Sequence, residues 1–122
     1  MKGKILVVDD NKSIFELFRK LLSCGGFELD YASNGEEAKR LMHLDDYNIV
    51  FSDLVMPRSS GLDVVLEASK YRLHPVIILM TAYRAEELEK QAMMLGAAQC
   101  IHKPLEEALV RGIVDKYIPS AG

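Results

Sequence analysis

Asp53 is the residue around which chemistry can be built. It closes an apolar run, Ile49-Val50-Phe51-Ser52, and a loop follows it, Leu54-Val55-Met56-Pro57-Arg58-Ser59-Ser60-Gly61. A carboxylate at the end of a buried strand is costly unless it has partners. A second apolar run, Ile5-Leu6-Val7-Val8, ends in the adjacent acids Asp9 and Asp10. If the two strands lie side by side in one parallel sheet, three carboxylates converge on one edge. Such a cluster suits a hard divalent cation and nucleophilic carboxylate chemistry on phosphate. Without a cation, mutual repulsion would tend to keep at least one of the acids protonated. A Mg2+ ion would relieve that repulsion and supply positive charge for phosphate.

Two further polar residues follow apolar runs. Thr81 ends Val76–Met80 and can offer a hydroxyl to a phosphoryl oxygen. Lys103 follows Gln99–His102 and can offer an ammonium. Phosphoryl transfer mostly needs positioning and charge neutralisation, which these groups supply. Each residue also has a plain structural reading. Asp9-Asp10 could cap a helix, Asp53 could begin a turn, Thr81 could simply end a strand, and Lys103 could be a solvated lysine. Taken together, in this order and at successive strand ends, the five favour the functional reading.

The elements that must position them alternate along the chain. Lys4–Val8 is a continuous apolar run, as expected of a strand buried on both faces. Asn11 is a helix cap, with Ile14, Leu17, Phe18 and Leu21 at helical spacing and Gly25-Gly26 as the stop. Phe27–Ala32 reads as a more polar edge strand. Ser33 or Asn34 starts a second helix to about His43, with Ala38, Leu41 and Met42 inward. Ile49–Ser52 is the third strand, residues 57–61 a loop, and Leu62 to about Tyr71 the third helix. Val76–Met80 is the fourth strand, and a fourth helix from about Ala85 to Leu95 stops at Gly96. Gln99–His102 is the fifth strand, and a last helix spans about Leu105 to Tyr117. This alternation predicts an α/β fold with a parallel sheet covered by helices on both faces. Ligands in such sheets bind outside the carboxyl ends of the strands, where Asp9, Asp10, Asp53, Thr81 and Lys103 fall.

Composition narrows the class. The 122 residues fit one domain, taken here as residues 1–118 with residues 119–122 as a tail or linker stub. A net charge of -3 argues against direct nucleic-acid binding by this chain. Two cysteines, Cys24 and Cys100, form neither a zinc pattern nor a disulfide framework. With no signal-peptide core or membrane span in the pattern, a cytoplasmic location is expected.

The ordered set Val7-Val8-Asp9-Asp10, Asp53-Leu54-Val55-Met56-Pro57 with Gly61 downstream, Thr81-Ala82, Gly96-Ala97 and Lys103-Pro104 resembles the receiver domain of two-component response regulators. The resemblance spans essentially the whole chain. It implies a flavodoxin-like (βα)5 fold with strand order 2-1-3-4-5. It implies that Asp53 accepts a phosphoryl group from a histidine kinase or phosphotransfer protein. Asp9, Asp10, Asp53 and the Val55 carbonyl would hold Mg2+, Thr81 would meet the phosphoryl group, and Lys103 would pair with it. It also implies a cis Lys103-Pro104 bond; from the residues alone, Pro104 equally suits the first turn of the last helix.

One departure bears on mechanism. Cys100 stands where the family usually has Tyr or Phe, three residues before the lysine. The output surface then switches by backbone movement alone, or Tyr83 takes part. Apolar Val55 and bulky Tyr83 beside the site predict slow self-dephosphorylation. Cys100 itself reads as a small buried residue, Cys24 as a helix end, and His43, His74 and His102 as structural or surface residues. The last helix is apolar on more than one face, at Leu109, Val110, Ile113, Val114, Tyr117 and Ile118. The surplus marks either a partner or homodimer surface shared with the fourth helix, or a face covered within the domain. Rival readings are an Asp-nucleophile phosphohydrolase of the haloacid dehalogenase type, a flavodoxin-like nucleotide or flavin binder, and a degenerate receiver that only binds proteins. The first needs Asp-x-Asp after the first strand, but Asp9 and Asp10 are adjacent. The second needs a phosphate loop that the acidic Asp9-Asp10-Asn11-Lys12 segment does not supply.

Overall fold

The computed structural model describes residues 3–118 apart from residue 24. Five strands, β1 (Gly3–Val8), β2 (Phe27–Ala32), β3 (Ile49–Asp53), β4 (Val76–Thr81) and β5 (Gln99–His102), form one sheet. Five helices alternate with them: α1 (Lys12–Leu21), α2 (Gly35–Leu44), α3 (Gly61–Ala68), α4 (Glu86–Leu95) and α5 (Glu107–Tyr117). All neighbouring strands are parallel, in the order β2-β1-β3-β4-β5. This is the doubly wound, flavodoxin-like topology expected from the sequence, with β2 at one edge.

The period-2 alternation of strand side chains sorts the core into two layers. Leu6, Val8, Val50, Ile77 and Leu79 pack with Ala38, Met42, Val64, Val65 and Ala92, so α2, α3 and α4 cover one face. Ile5, Val7, Ile49, Phe51, Ile78 and Met80 pack with Phe18, Val110, Ile113 and Val114, so α1 and α5 cover the other. Both faces being covered explains why β1, β3 and β4 are apolar without alternation. The Phe18 and Phe51 rings, 4.7 Å apart between centroids, anchor α1 to the sheet centre. The apolar surplus of the last helix is mostly absorbed here. Val110, Ile113, Val114 and Ile118 are buried, and Leu109 remains 38% exposed.

Four boundaries differ from expectation. Helix α1 stops at Leu21, before the glycine pair, and Gly26 at φ 73° then turns the chain toward β2. Helix α3 ends at Ala68 because the next residues close tighter turns. Lys70 and Tyr71 donate their amides to the carbonyls three residues back, and Ser69 Oγ donates to the Leu66 carbonyl at 2.7 Å. The expected 57–61 loop is instead a small antiparallel ribbon, Val55–Met56 against Ser59–Ser60. Its corner is Pro57-Arg58, with Arg58 in the left-handed region at φ 65°. The last helix begins at Glu107, not Leu105. Leu105 packs into the α1–α5 core and the flanking Glu106 is extended. Pro104 thus precedes the helix, and the Lys103-Pro104 bond is cis. The expected tail at 119–122 and the helix-end role of Cys24 lie outside the described residues.

Candidate functional site

Strand register brings the predicted residues together. Val8 lies level with Ser52, Asp53 with Met80, and Thr81 with His102. The strand ends are tied beyond the ladder as well. The Leu54 amide donates to the Met80 carbonyl and the Lys103 amide to the Thr81 carbonyl, both at 2.8 Å. Asp9, Asp53, Thr81 and Lys103 therefore share one rim by backbone geometry alone, with Asp10 just beyond β1.

Carboxylate oxygens of Asp9, Asp10 and Asp53 lie within 4.8 Å of one another, close enough to hold one cation. Asp9 is 0% exposed and Asp53 is buried, whereas Asp10 is exposed. The fit to a hard cation is good on donor chemistry, since all three clustered side chains offer carboxylate oxygens. Lys103 Nζ bridges the two buried acids, 2.8 Å from Asp9 Oδ2 and 3.6 Å from Asp53 Oδ2. Asp9 Oδ1 accepts the Asn11 amide at 2.9 Å. The helix-cap reading of the acid pair does not hold, because Asn11 caps α1 by accepting the Ser13 amide. The Val55 amide points to Asp53 Oδ1 at 3.4 Å. Sequence reasoning missed Tyr31, whose hydroxyl donates to the Asp9 carbonyl at 2.7 Å. Its place one residue before the end of β2, level with Val7, was the available signal.

These surroundings set the charge state of Asp53. Burial pushes its carboxyl above the ordinary range, and Asp9 and Asp10 push the same way; Lys103 and the Val55 amide oppose them without prevailing. For Lys103, burial disfavours the ammonium, but the hydrogen bond to Asp9 and the Asp53 charge outweigh it and hold the group above its usual range. A carboxyl with a raised folded value costs stability as pH climbs from the ordinary carboxylate range through that raised value. Asp53→Asn is therefore expected to melt higher than the parent at neutral pH without metal. The gap should close as pH falls below about 4, where both side chains are neutral. Mg2+ should stabilise the parent more than the variant. Thermal melts at several pH values check this; a variant that melts lower than the parent at pH 7 would contradict it.

Thr81 is buried at the end of β4, but its hydroxyl is already engaged. Thr81 Oγ1 donates to the Tyr83 carbonyl at 2.6 Å and accepts the Tyr83 amide at 3.1 Å. The Tyr83 ring is 75% exposed, so shielding of the site by this ring would require it to move. Cys100 is partly buried against the α2–α4 core, and its thiol is pushed up, first by burial and then by the Glu89 charge. That disfavours the reactive thiolate and fits a packing role. His74 Nδ1 sits 3.0 Å from the Ala68 carbonyl, a structural contact at the end of α3.

The sequence matches the family described as response regulator receiver domain over residues 5–115. A transcriptional regulatory protein, CpxR homolog, from Haemophilus influenzae is 33% identical over 106 residues, covering 86% of this chain and 45% of that protein. Transcriptional regulatory protein SrrA from Staphylococcus aureus is 34% identical over 104 residues, covering 85% of this chain and 43% of its own. The chain thus spans about half the length of these curated relatives. A response regulator receiver domain protein from Clostridium thermocellum superposes with a TM-score of 0.85 at 29% identity, covering 95% of this chain and 94% of that one. The signal receiver domain of a LuxO repressor-type protein from Vibrio parahaemolyticus gives 0.88 at 19% identity over 97% of this chain and 91% of that one, a likeness of fold.

Proposed function

The chain belongs to the response regulator receiver domain family of two-component signalling, and from that premise we propose that Asp53 is its phosphoacceptor and that Mg2+ is its cofactor. Proteins of this family are signalling modules rather than conventional enzymes. The observation that carries the proposal is the convergence of Asp9, Asp10 and Asp53 around a lysine that bridges the two buried members. An Asp-nucleophile hydrolase finds no comparable support.

In the proposed reaction an Asp53 oxygen attacks the phosphorus of a phosphohistidine. The P–N bond breaks as the P–O bond forms, and the imidazole leaves with the electron pair. Mg2+ held by Asp9, Asp10, Asp53 and the Val55 carbonyl would neutralise charge on the transferring oxygens. Lys103 leaves its bridge to meet a phosphoryl oxygen. Thr81 gives up its bonds to Tyr83 and donates its hydroxyl to another. A histidine kinase or phosphotransfer protein is the proposed donor, with small phosphodonors able to substitute. The proposed setting is the cytoplasm; among the described residues no helix is long and apolar enough to cross a membrane. The output passes to a downstream effector. One candidate surface is the exposed end of α4, with Met93, Met94 and Leu95, together with Leu109 of α5, through which the domain could also self-associate.

Incubation with Mg2+ and acetyl phosphate or phosphoramidate, followed by intact-mass measurement, tests the assignment. One phosphoryl group should add to the parent, none to Asp53→Asn, and none to the parent after chelation. Absence of an adduct with every donor would instead mark a receiver that only binds partners. The adduct should hydrolyse slowly, because apolar Val55 offers no group to orient water; a lifetime of only seconds would overturn that expectation.

A further inference from the structure

For a phosphoryl group on Asp53 to be felt at the α4–β5 surface, some connection has to join the two. Glu89, in the first turns of α4, makes two contacts that together form one. Its Oε2 accepts the Ala85 amide at 3.0 Å, at a helix start where no side chain of the cap residue serves. Its Oε1 lies 3.3 Å from His102 Nε2 on β5. Glu89 thus stands between the start of α4 and the end of β5, hydrogen-bonded to the first and ion-paired with the second when His102 is protonated, and its side chain is mostly buried.

Both ends of this fastening reach Thr81. His102 lies level with Thr81 across the β4–β5 ladder, and the next residue, Lys103, donates its amide to the Thr81 carbonyl. On the other side, Thr81 Oγ1 grips both backbone groups of Tyr83. A single residue, Arg84, separates Tyr83 from Ala85. Drawing the Thr81 hydroxyl toward a phosphoryl group breaks both Tyr83 bonds at once. The short 82–85 segment then cannot hold its place, and Ala85 sits at its far end. We propose that Glu89 is the coupling residue of this switch: it clamps α4 to β5 through Ala85 and His102 in the resting state, and the clamp opens when Asp53 carries a phosphoryl group. This rests on Asp53 being the phosphoacceptor.

The clamp can be read by nuclear magnetic resonance with amide exchange, using Mg2+ and beryllium trifluoride as the phosphoryl mimic. Addition should move the Asp53 and Thr81 amides. In the same titration it should quicken Ala85 amide exchange by about five- to tenfold, the scale of one lost hydrogen bond, and shift the His102 ring signals. In Glu89→Ala, Ala85 should exchange fast from the start and not respond further. Glu89→Gln, which keeps an acceptor for Ala85, should restore most of the slow exchange. If Asp53 and Thr81 respond while Ala85 and His102 stay still, the clamp is not part of the switch. Unchanged Ala85 exchange in Glu89→Ala also overturns it. No response at Asp53 or Thr81 removes the phosphoacceptor reading itself, and this inference with it.

Discussion

Replacing Lys103 with alanine is expected to slow Asp53 phosphorylation from a small donor by about a hundredfold or more, while leaving a folded protein in Mg2+. The rate term follows from the position of the ammonium, between the two buried carboxylates and 3.6 Å from the proposed phosphoacceptor oxygen of Asp53. A preorganised charge in a partly buried site is worth about two to three orders of magnitude when removed. The stability term has a separate cause. Asp9 is fully buried, and Lys103 Nζ is its only ion-pair partner among the described residues. Stripping one partner from a buried pair costs about 3 kcal/mol, so Lys103→Ala should melt markedly lower in chelator. Mg2+ can replace the lost charge beside Asp9 and should recover much of that stability. It should not recover the rate, because the contact proposed between the Lys103 ammonium and the phosphoryl group would be lost with the side chain. Time-resolved intact-mass measurement and melts with and without Mg2+ separate the two. A rate within a few-fold of the parent would remove Lys103 from the chemistry.

The second large effect is steric. Gly61 is the first residue of α3, and a Cβ placed there would meet Leu79 Cδ2 at 2.7 Å, the Asp53 carbonyl oxygen at 2.9 Å and Leu54 Cα at 3.0 Å. The leucine methyl can yield, but the two backbone atoms belong to the strand end that carries Asp53. The Gly61 amide also donates to the Leu54 carbonyl at 2.8 Å, so the two segments cannot simply part. Gly61→Ala should therefore cost about 2 kcal/mol despite the better helix propensity of alanine. It should also reduce phosphorylation by about tenfold, since an ångström-scale displacement of the proposed nucleophile is expensive. Urea unfolding and the phosphorylation assay check both; a variant as stable and as active as the parent would show that the rim tolerates movement.

Much of this molecule is legible in its sequence. Continuous apolar runs at β1, β3 and β4 announced strands buried on both faces, and the polar residue after each run announced the rim. The acid pair, Asp53 and Thr81 are placed on the rim this way, and Lys103 by its position after the short β5. The ribbon at residues 55–60 is not legible, because its strands are two residues long, too short for periodicity to register. The early end of α3 was missed for a related reason. Leu62 to Tyr71 carries helical spacing, but Ser69 hydrogen-bonds back to Leu66 and the following turns tighten. The start of α5 was misplaced because Leu105 looks like a helical core position, and burial of its side chain does not require a helical backbone.

The sequence by itself determined the alternation of strand and helix, the two-sided burial of the sheet, and hence which residues stand at the carboxyl rim. Those follow from local spacing and from the cost of leaving apolar surface in water. Only the tertiary structure decided how the rim residues are engaged. Lys103 finds Asp9 across 94 positions of chain. The Thr81 hydroxyl is held by Tyr83 backbone, and Glu89 reaches both Ala85 and His102. The spacing of apolar residues leaves such pairings open, because a hydrogen bond is settled by rotamer and by tenths of an ångström. Packing of α4 and the strand ends against the core settles those quantities.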